Sequence, residues 1–386
     1  MRNRTQFTLG AIFFTLLLIY GGVRFVRTLP LLGMESEPGW RAGQVGTLVM
    51  IVGFSSSEPQ AQLRPGDELV AINGRPITSA SQIPPIFNDI APGESYTVVV
   101  KRDGFFQPPF NLQAQAIPLS WWVVNGIARL VVPNIFLLTG LAVFLLRPDD
   151  KQALLLALMF GMFTGALSAM SPSFAGEPAY LVVVMLTVHI VSLFLWPVFL
   201  HFFQIFPEPS ALVKQSPRLE AYIYVPHLLT IFPFFATLNL LALFAPDRMI
   251  SFRLGYSAGE TICVLVATLY IAAGLVSLLV NYRQAGWASQ RRMRVVVAGS
   301  IAGFLPMFLA IGLSMLFDLQ KNNPRLAQWL IIIALFSFPL FPLSFMYAIV
   351  RHQVIPVRLI LRRSVRYLLV SRGFIIIQAL VVFAVL

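Results

Sequence analysis

Apolar runs of about 20 residues recur along most of this chain, and one polar stretch of different rhythm interrupts them near the front. Residues 6–26 form the first run. From 121 onward the runs fall at 121–146, 152–171, 179–206, 221–245, 260–282, 295–317, 328–350 and 367–386. About 20 apolar residues in a helix suffice to cross a hydrocarbon core of ~30 Å, so the pattern predicts nine spans. Between the first two runs, at 31–117, the apolar segments shrink to strand length ("GTLVMIV", "ELVAI", "YTVVVKR"). Turn-forming "RPGD", "NGRP", "APGE" and "RDG" separate them. The predicted fold is an α-helical polytopic membrane protein with one small, β-barrel-like α+β module inserted. Its parts are an anchor helix at 1–30, the module at 31–117, a seven-helix bundle at 118–350, a basic connector at 351–366 and a further span at 367–386. The last run reaches the final residue with no polar tail, so a fragment of a longer protein is expected.

Composition agrees with this. The 386 residues are 57% hydrophobic and 11% charged, against about 45–50% and about 25% in soluble domains. A net charge of +12 could suggest nucleic acid, but no basic-aromatic module accompanies it, so no nucleic-acid partner is expected. The charge is distributed as membrane topology requires. With the N-terminus in the cytoplasm, inside segments hold fifteen basic residues: Arg2, Arg4, Arg147, Lys151, Lys214, Arg218, Arg283, Arg291, Arg292, Arg294, Arg351, Arg358, Arg362, Arg363 and Arg366. Outside loops beyond the module hold four: Arg248, Arg253, Lys321 and Arg325. That bias puts the module outside the cytoplasm. Segment 283–294 is then an inner loop. The one cysteine, Cys263, can form no internal disulfide.

The stretch "AQLRPGDELVAINGRPI" (61–77) resembles the centre of a PDZ domain, and its flanks "GTLVMIV", "SASQIPPIFNDI" and "PGESYTVVVKRDG" are similar to those of bacterial PDZ domains. The resemblance implies an exposed sheet edge to which a peptide or protein C-terminus adds as a strand. It also implies a loop whose amides receive the terminal carboxylate, which "LLGM" (Leu32, Gly33, Met34) matches in type and order. The second wall of such a groove would be the helix near 80–90. Its Ile83, Ile86, Phe87 and Ile90 share one face, and the alternative is that they bury in the module's core. Pro84 and Pro85 fit only if that helix begins there.

Further along, "LFLWPVFLHFFQIFPEP" (193–209) and "YAIVRHQVIPVRLILRRSVRYLLVSRGF" (347–374) resemble the membrane front end of competence-pheromone-receptor histidine kinases. Similar front ends precede stage-II-sporulation-type serine phosphatases. This implies a sensor in the bacterial cytoplasmic membrane that reports to a cytoplasmic kinase or phosphatase, with a homodimer open. The alternatives are a membrane scaffold and a transporter-like protein with a regulatory PDZ domain. In the connector, Arg358, Arg362 and Arg366 stack at a spacing of four, with Arg363 beside Leu359. That suits either a solvated topology signal or an amphipathic helix on anionic lipid.

Catalytic patterns are absent. His189, His201, His227 and His352 have no glutamate beside them, and no H-E-x-x-H, G-x-S-x-G or Walker pattern occurs. No enzyme activity, metal or cofactor is expected of this chain. His189 lies deepest in a span, where a hydrogen-bonded packing role competes with a sensing role.

Overall fold

A computed structural model describes residues 2–45, 48–54, 62–117, 130–147, 150–168, 178–245, 257–317 and 323–352, together with positions 248, 252 and 319. Helix α1 (Arg2–Leu32) runs 31 residues. At 1.5 Å per residue it is about 47 Å long, roughly 17 Å more than the hydrocarbon needs. The surplus carries it into the module, where Leu31 packs against the core and Met34 lies within it.

The module is an antiparallel sheet. Strand β1 (Ser36–Glu37) pairs with β9 (Gln115–Ala116), tying the module's start to its end. The larger sheet runs β2 (Trp40–Val45), β3 (Leu48–Phe54), β4 (Glu68–Ile72), β6 (Ser95–Arg102), β7 (Phe105–Phe106). Strand β5 (Arg75–Pro76) pairs with β4, and β8 (Phe110–Gln113) with β6. Alternation along β6 buries Tyr96, Val98 and Val100. Strand β4 buries Leu69 and Ile72, three residues apart. A register shift between Leu69 and Ala71 supplies the extra residue that turns both inward. Asn73 (φ 48°) and Gly74 (φ 73°) make the left-handed pair that a tight hairpin needs. Helix α2 (Ile83–Phe87) starts where Pro84 and Pro85 can occupy its first turn.

Beyond the module come α3 (Val132–Leu146), α4 (Lys151–Ser168), α5 (Ala179–Leu193), α6 (Leu195–Ile205), α7 (Ala211–Gln215), α8 (Leu219–Tyr222), α9 (Val225–Leu229), α10 (Ile231–Phe244), α11 (Ser257–Gln284), α12 (Trp287–Phe317), α13 (Pro324–Ser337) and α14 (Leu340–His352). Four helical stretches are long and apolar enough to cross a membrane: Thr5–Thr28, Ala258–Gln284, Trp287–Leu313 and Leu326–Arg351. Two bent pairs, α5 with α6 and the α8–α9 segment with α10, pass the same test when each is taken together. Helices α3 and α4 are shorter apolar helices. Every expected apolar run meets a helix except 367–386, which lies outside the described residues.

Both bends measure 46°, and both have a proline four residues past the break. A proline ring collides with the carbonyl of residue i−4 and leaves it without a donor. Pro197 thus ends α5 at Leu193, and Pro233 ends α9 at Leu229. The breaks lie side by side, with the rings of Phe194 and Phe232 centred 5.3 Å apart. Segment 283–294, expected as a loop, is instead a two-residue turn between α11 and α12. Arg291, Arg292 and Arg294 lie in the first turns of α12. The bundle core is a cluster of phenylalanine rings from α3, α4, α6, α12 and α14, with Phe341 4.9 Å from Phe304 and 5.4 Å from Phe160. Helices α12 and α14 approach closely because Gly299 has no Cβ, which would meet Leu340 O at 2.9 Å.

Candidate functional site

The structure revises the groove expected of the module. Met34 N–H donates to Leu31 O at 3.5 Å and Glu35 N–H to Phe87 O at 3.2 Å. The Met34 and Glu35 amides are thus engaged within the chain, and Met34 is buried. Leu32 ends α1. The Leu32-Gly33-Met34 segment is therefore a tether between α1 and α2, not an open cradle for a carboxylate. Ile83, Ile86, Phe87 and Ile90 are buried together in the module core, and Phe87 is 0% exposed. Phe87 meets Tyr96 edge-on at 5.0 Å and Trp40 at 6.5 Å. These four side chains form no open wall. Helix α2 has only five residues and one apolar face, and the core takes it.

One open edge among the described residues is the outer side of β2, which pairs with β3 alone. A 3₁₀ turn at Ala80–Gln82 packs beside it. Its approach is Pro38-Gly39-Trp40. Gly39 has φ +78°, Trp40 is buried, and Tyr96 joins both flanks. The Tyr96 hydroxyl accepts from Trp40 Nε1 at 2.8 Å and donates to Pro38 O at 2.6 Å. Sequence reasoning missed this loop. A glycine directly before a tryptophan at a strand start was the available signal.

The "RPGD" turn is held by Asp67. Its carboxylate accepts from Arg64 N–H at 2.8 Å and from Arg102 Nε and Nη2, both at 2.7 Å. Burial pushes the Asp67 carboxyl up, but the Arg102 guanidinium and the Arg64 amide outweigh it and hold it below the usual range. The folded pKa is thus below the unfolded value of about 3.9. This contribution to stability is full above pH ~4 and lost as pH falls through the lowered value. In an Arg102→Met variant burial dominates. The module is then less stable at pH 7, and the Asp67-dependent loss at acid pH disappears or reverses, as acid titration of module unfolding will read.

Inside the bundle, polar side chains from distant positions meet. Asn239 Nδ2 donates to Phe235 O at 2.8 Å, so Asn239 Oδ1 faces His189 Nδ1 at 3.1 Å as acceptor. Nδ1 therefore carries the proton, and Nε2 accepts from the Tyr20 hydroxyl at 3.1 Å. This relay joins α1, α5 and α10. At the other end of the bundle, His201 lies 3.0 Å from the Tyr224 hydroxyl and 3.1 Å from Glu220, which Lys151 contacts at 2.6 Å. The end of α6 is capped from outside it: Asn281 donates to Phe203 O and Phe206 O, and Gln152 to Ile205 O and Pro207 O. Those are the carbonyls that a helix end leaves orphaned, so the "LHFFQIFP" segment is a docking point for α4 and α11. His227 is fully buried beside the two breaks, its ring 5.2 Å from that of Phe194, and neither ring nitrogen has a partner among the described residues.

Among the described residues, no group of three or more His, Cys, Asp or Glu could hold a metal ion. Arg358, Arg362, Arg363 and Arg366 lie outside the described residues; Arg351 is exposed at the end of α14.

The chain is therefore a multi-pass helical membrane protein carrying a small antiparallel-sheet module between its first helix and the rest. No family model matches it, and no curated protein matches it.

Proposed function

We propose that this chain is the receptor region of a bacterial signalling protein in the cytoplasmic membrane. Its module is a PDZ-type domain outside the cytoplasm that takes a peptide or protein C-terminus as a strand along β2. Binding shifts the bundle and so biases a cytoplasmic kinase or phosphatase. A ligand can do this only by favouring one of two bundle arrangements. The carrying observation is the continuity of α1. One helix contributes Leu31 to the module core and Tyr20 to the relay with His189 and Asn239. The "LRPGDELVAINGRPI" motif, with Asn73 and Gly74 at positive φ and Asp67 paired to Arg102, supports the PDZ reading. The fifteen-to-four basic count supports the orientation.

Two measurements test it. A random nonapeptide library offered to the full chain in nanodiscs should yield binders with free carboxyl termini, and amidating a binder should weaken it about tenfold or more. Equal affinity for acid and amide forms would remove the C-terminal-capture reading. In cells, an impermeant maleimide added outside should label Phe105→Cys in the module and spare Ala288→Cys at the start of α12. The opposite labelling would invert the orientation.

A further inference from the structure

Helices α12 and α14 leave an open groove of about 520 Å³ between them. Short side chains at Ala298, Gly299 and Ala302 hollow out α12, and Leu340 and Leu343 of α14 line the same space. Ser344 also borders it, but its hydroxyl donates to Phe341 O at 2.7 Å, so no free hydroxyl proton points into the groove. Arg294 is the only charged residue on the lining. It is exposed and has no hydrogen bond or ion pair among the described residues. No carboxylate occurs on α12, α13 or α14 to neutralise it. We propose that this groove holds a phospholipid of net negative charge. Its phosphate meets Arg294, and one acyl chain lies along α12 towards Ala302.

The dimensions suit one leaflet. From Arg294 to Ala302 is about 12 Å along the helix at 1.5 Å per residue. Half of a ~30 Å hydrocarbon core is about 15 Å. The headgroup end is marked as well. Trp287, Arg291 and Arg294 follow at spacings of four and three, which keep them on one side of α12. Trp287 is 76% exposed, and the Arg291 guanidinium lies 5.9 Å from its ring centroid. An exposed tryptophan at the end of an apolar helix sits at headgroup level. Arg294, two turns further in, reaches back to that level along its own methylenes. With Arg291 also there, a headgroup of net negative charge is favoured over a zwitterionic one, whose own cation would meet a second positive charge.

Charge also decides against a helix as the occupant. The apolar run 367–386 carries Arg372 and no acidic residue, and 353–366 adds only basic ones. A second copy presenting the same face brings another Arg294 and again no carboxylate. Either would enclose Arg294 at membrane depth without a counter-charge, which is costly. A lipid phosphate supplies that charge. The inference stands whatever the module captures and whichever side of the membrane it faces.

The test uses the full chain in phosphatidylcholine nanodiscs with a graded fraction of phosphatidylglycerol that carries a diazirine on its acyl chain. Illumination should label Ala298, Ala302 and Leu343 saturably. Unlabelled phosphatidylglycerol should compete, and phosphatidylcholine should not. Arg294→Gln should raise the half-saturating fraction about tenfold, the effect of one charge-assisted hydrogen-bonding group. Arg294→Lys keeps the charge and should recover most of the binding. Ala298→Phe leaves Arg294 in place but fills the groove, and because Ala298 is exposed the chain should still assemble; groove labelling should be lost. Labelling that rises in proportion to the lipid without saturating, or that is equal in the native chain and Arg294→Gln, overturns the proposal. A benzophenone side chain at position 298 identifies the occupant directly. Capture of phosphatidylglycerol is expected, and capture of residues 367–386 or of a second chain in its place would overturn the lipid assignment.

Discussion

Phe87→Ala should unfold the module while leaving the bundle assembled. Phe87 is fully enclosed by Trp40, Tyr96 and the neighbouring isoleucines, and truncating a buried phenylalanine costs about 3–5 kcal/mol. The Phe87 carbonyl that receives the Glu35 amide is backbone and survives the substitution, so the loss comes from the ring alone. Pulse proteolysis of the full chain in nanodiscs measures it: the 36–117 segment should be cut at far lower denaturant, with the helical signal retained. A stable module that loses only peptide binding would restore Phe87 as a groove residue.

The two deeply buried histidines should respond to the same substitution with opposite signs. His189→Leu strips the Tyr20 hydroxyl and Asn239 Oδ1 of their partner at once. Each orphaned buried group costs about 1–3 kcal/mol, so a loss of roughly 2–6 kcal/mol is expected. His227→Leu removes a ring whose nitrogens have no partner among the described residues. The change there should be neutral, or stabilising by about 1–2 kcal/mol. Thermal unfolding of both variants in one detergent decides the matter. Matching losses would mean that His227 has a bonding role.

The sequence was most legible where one local rule acts alone. Twenty apolar residues name a helix, and Asn73-Gly74 names a hairpin. Pro197 and Pro233 fix breaks four residues upstream, though the position of those breaks was not read from the sequence. It was least legible where partners lie far apart. Nothing local joins Tyr20 to His189, 169 positions away, or Asp67 to Arg102, 35 positions away. The β4 irregularity at Leu69–Ala71 is hidden because it depends on the partner strand. The apolar series Ile83, Ile86, Phe87 and Ile90 does form one face, but periodicity does not say what the face meets. The core claimed it. Likewise Leu32-Gly33-Met34 has the composition of a carboxylate loop, yet its position directly after α1 commits its amides to a tether.

The central claim is that occupancy of the module moves the bundle through α1. Lys151, at the start of α4, and Trp287, at the start of α12, are both exposed and can carry spin labels. Their distance distribution, measured by pulsed electron resonance on the full chain in nanodiscs, should shift when a selected C-terminal peptide saturates the module. Inserting four glycines after Gly33 should abolish the shift while leaving peptide affinity unchanged. A saturated module with an unchanged distribution would contradict the receptor account and leave a membrane scaffold in its place.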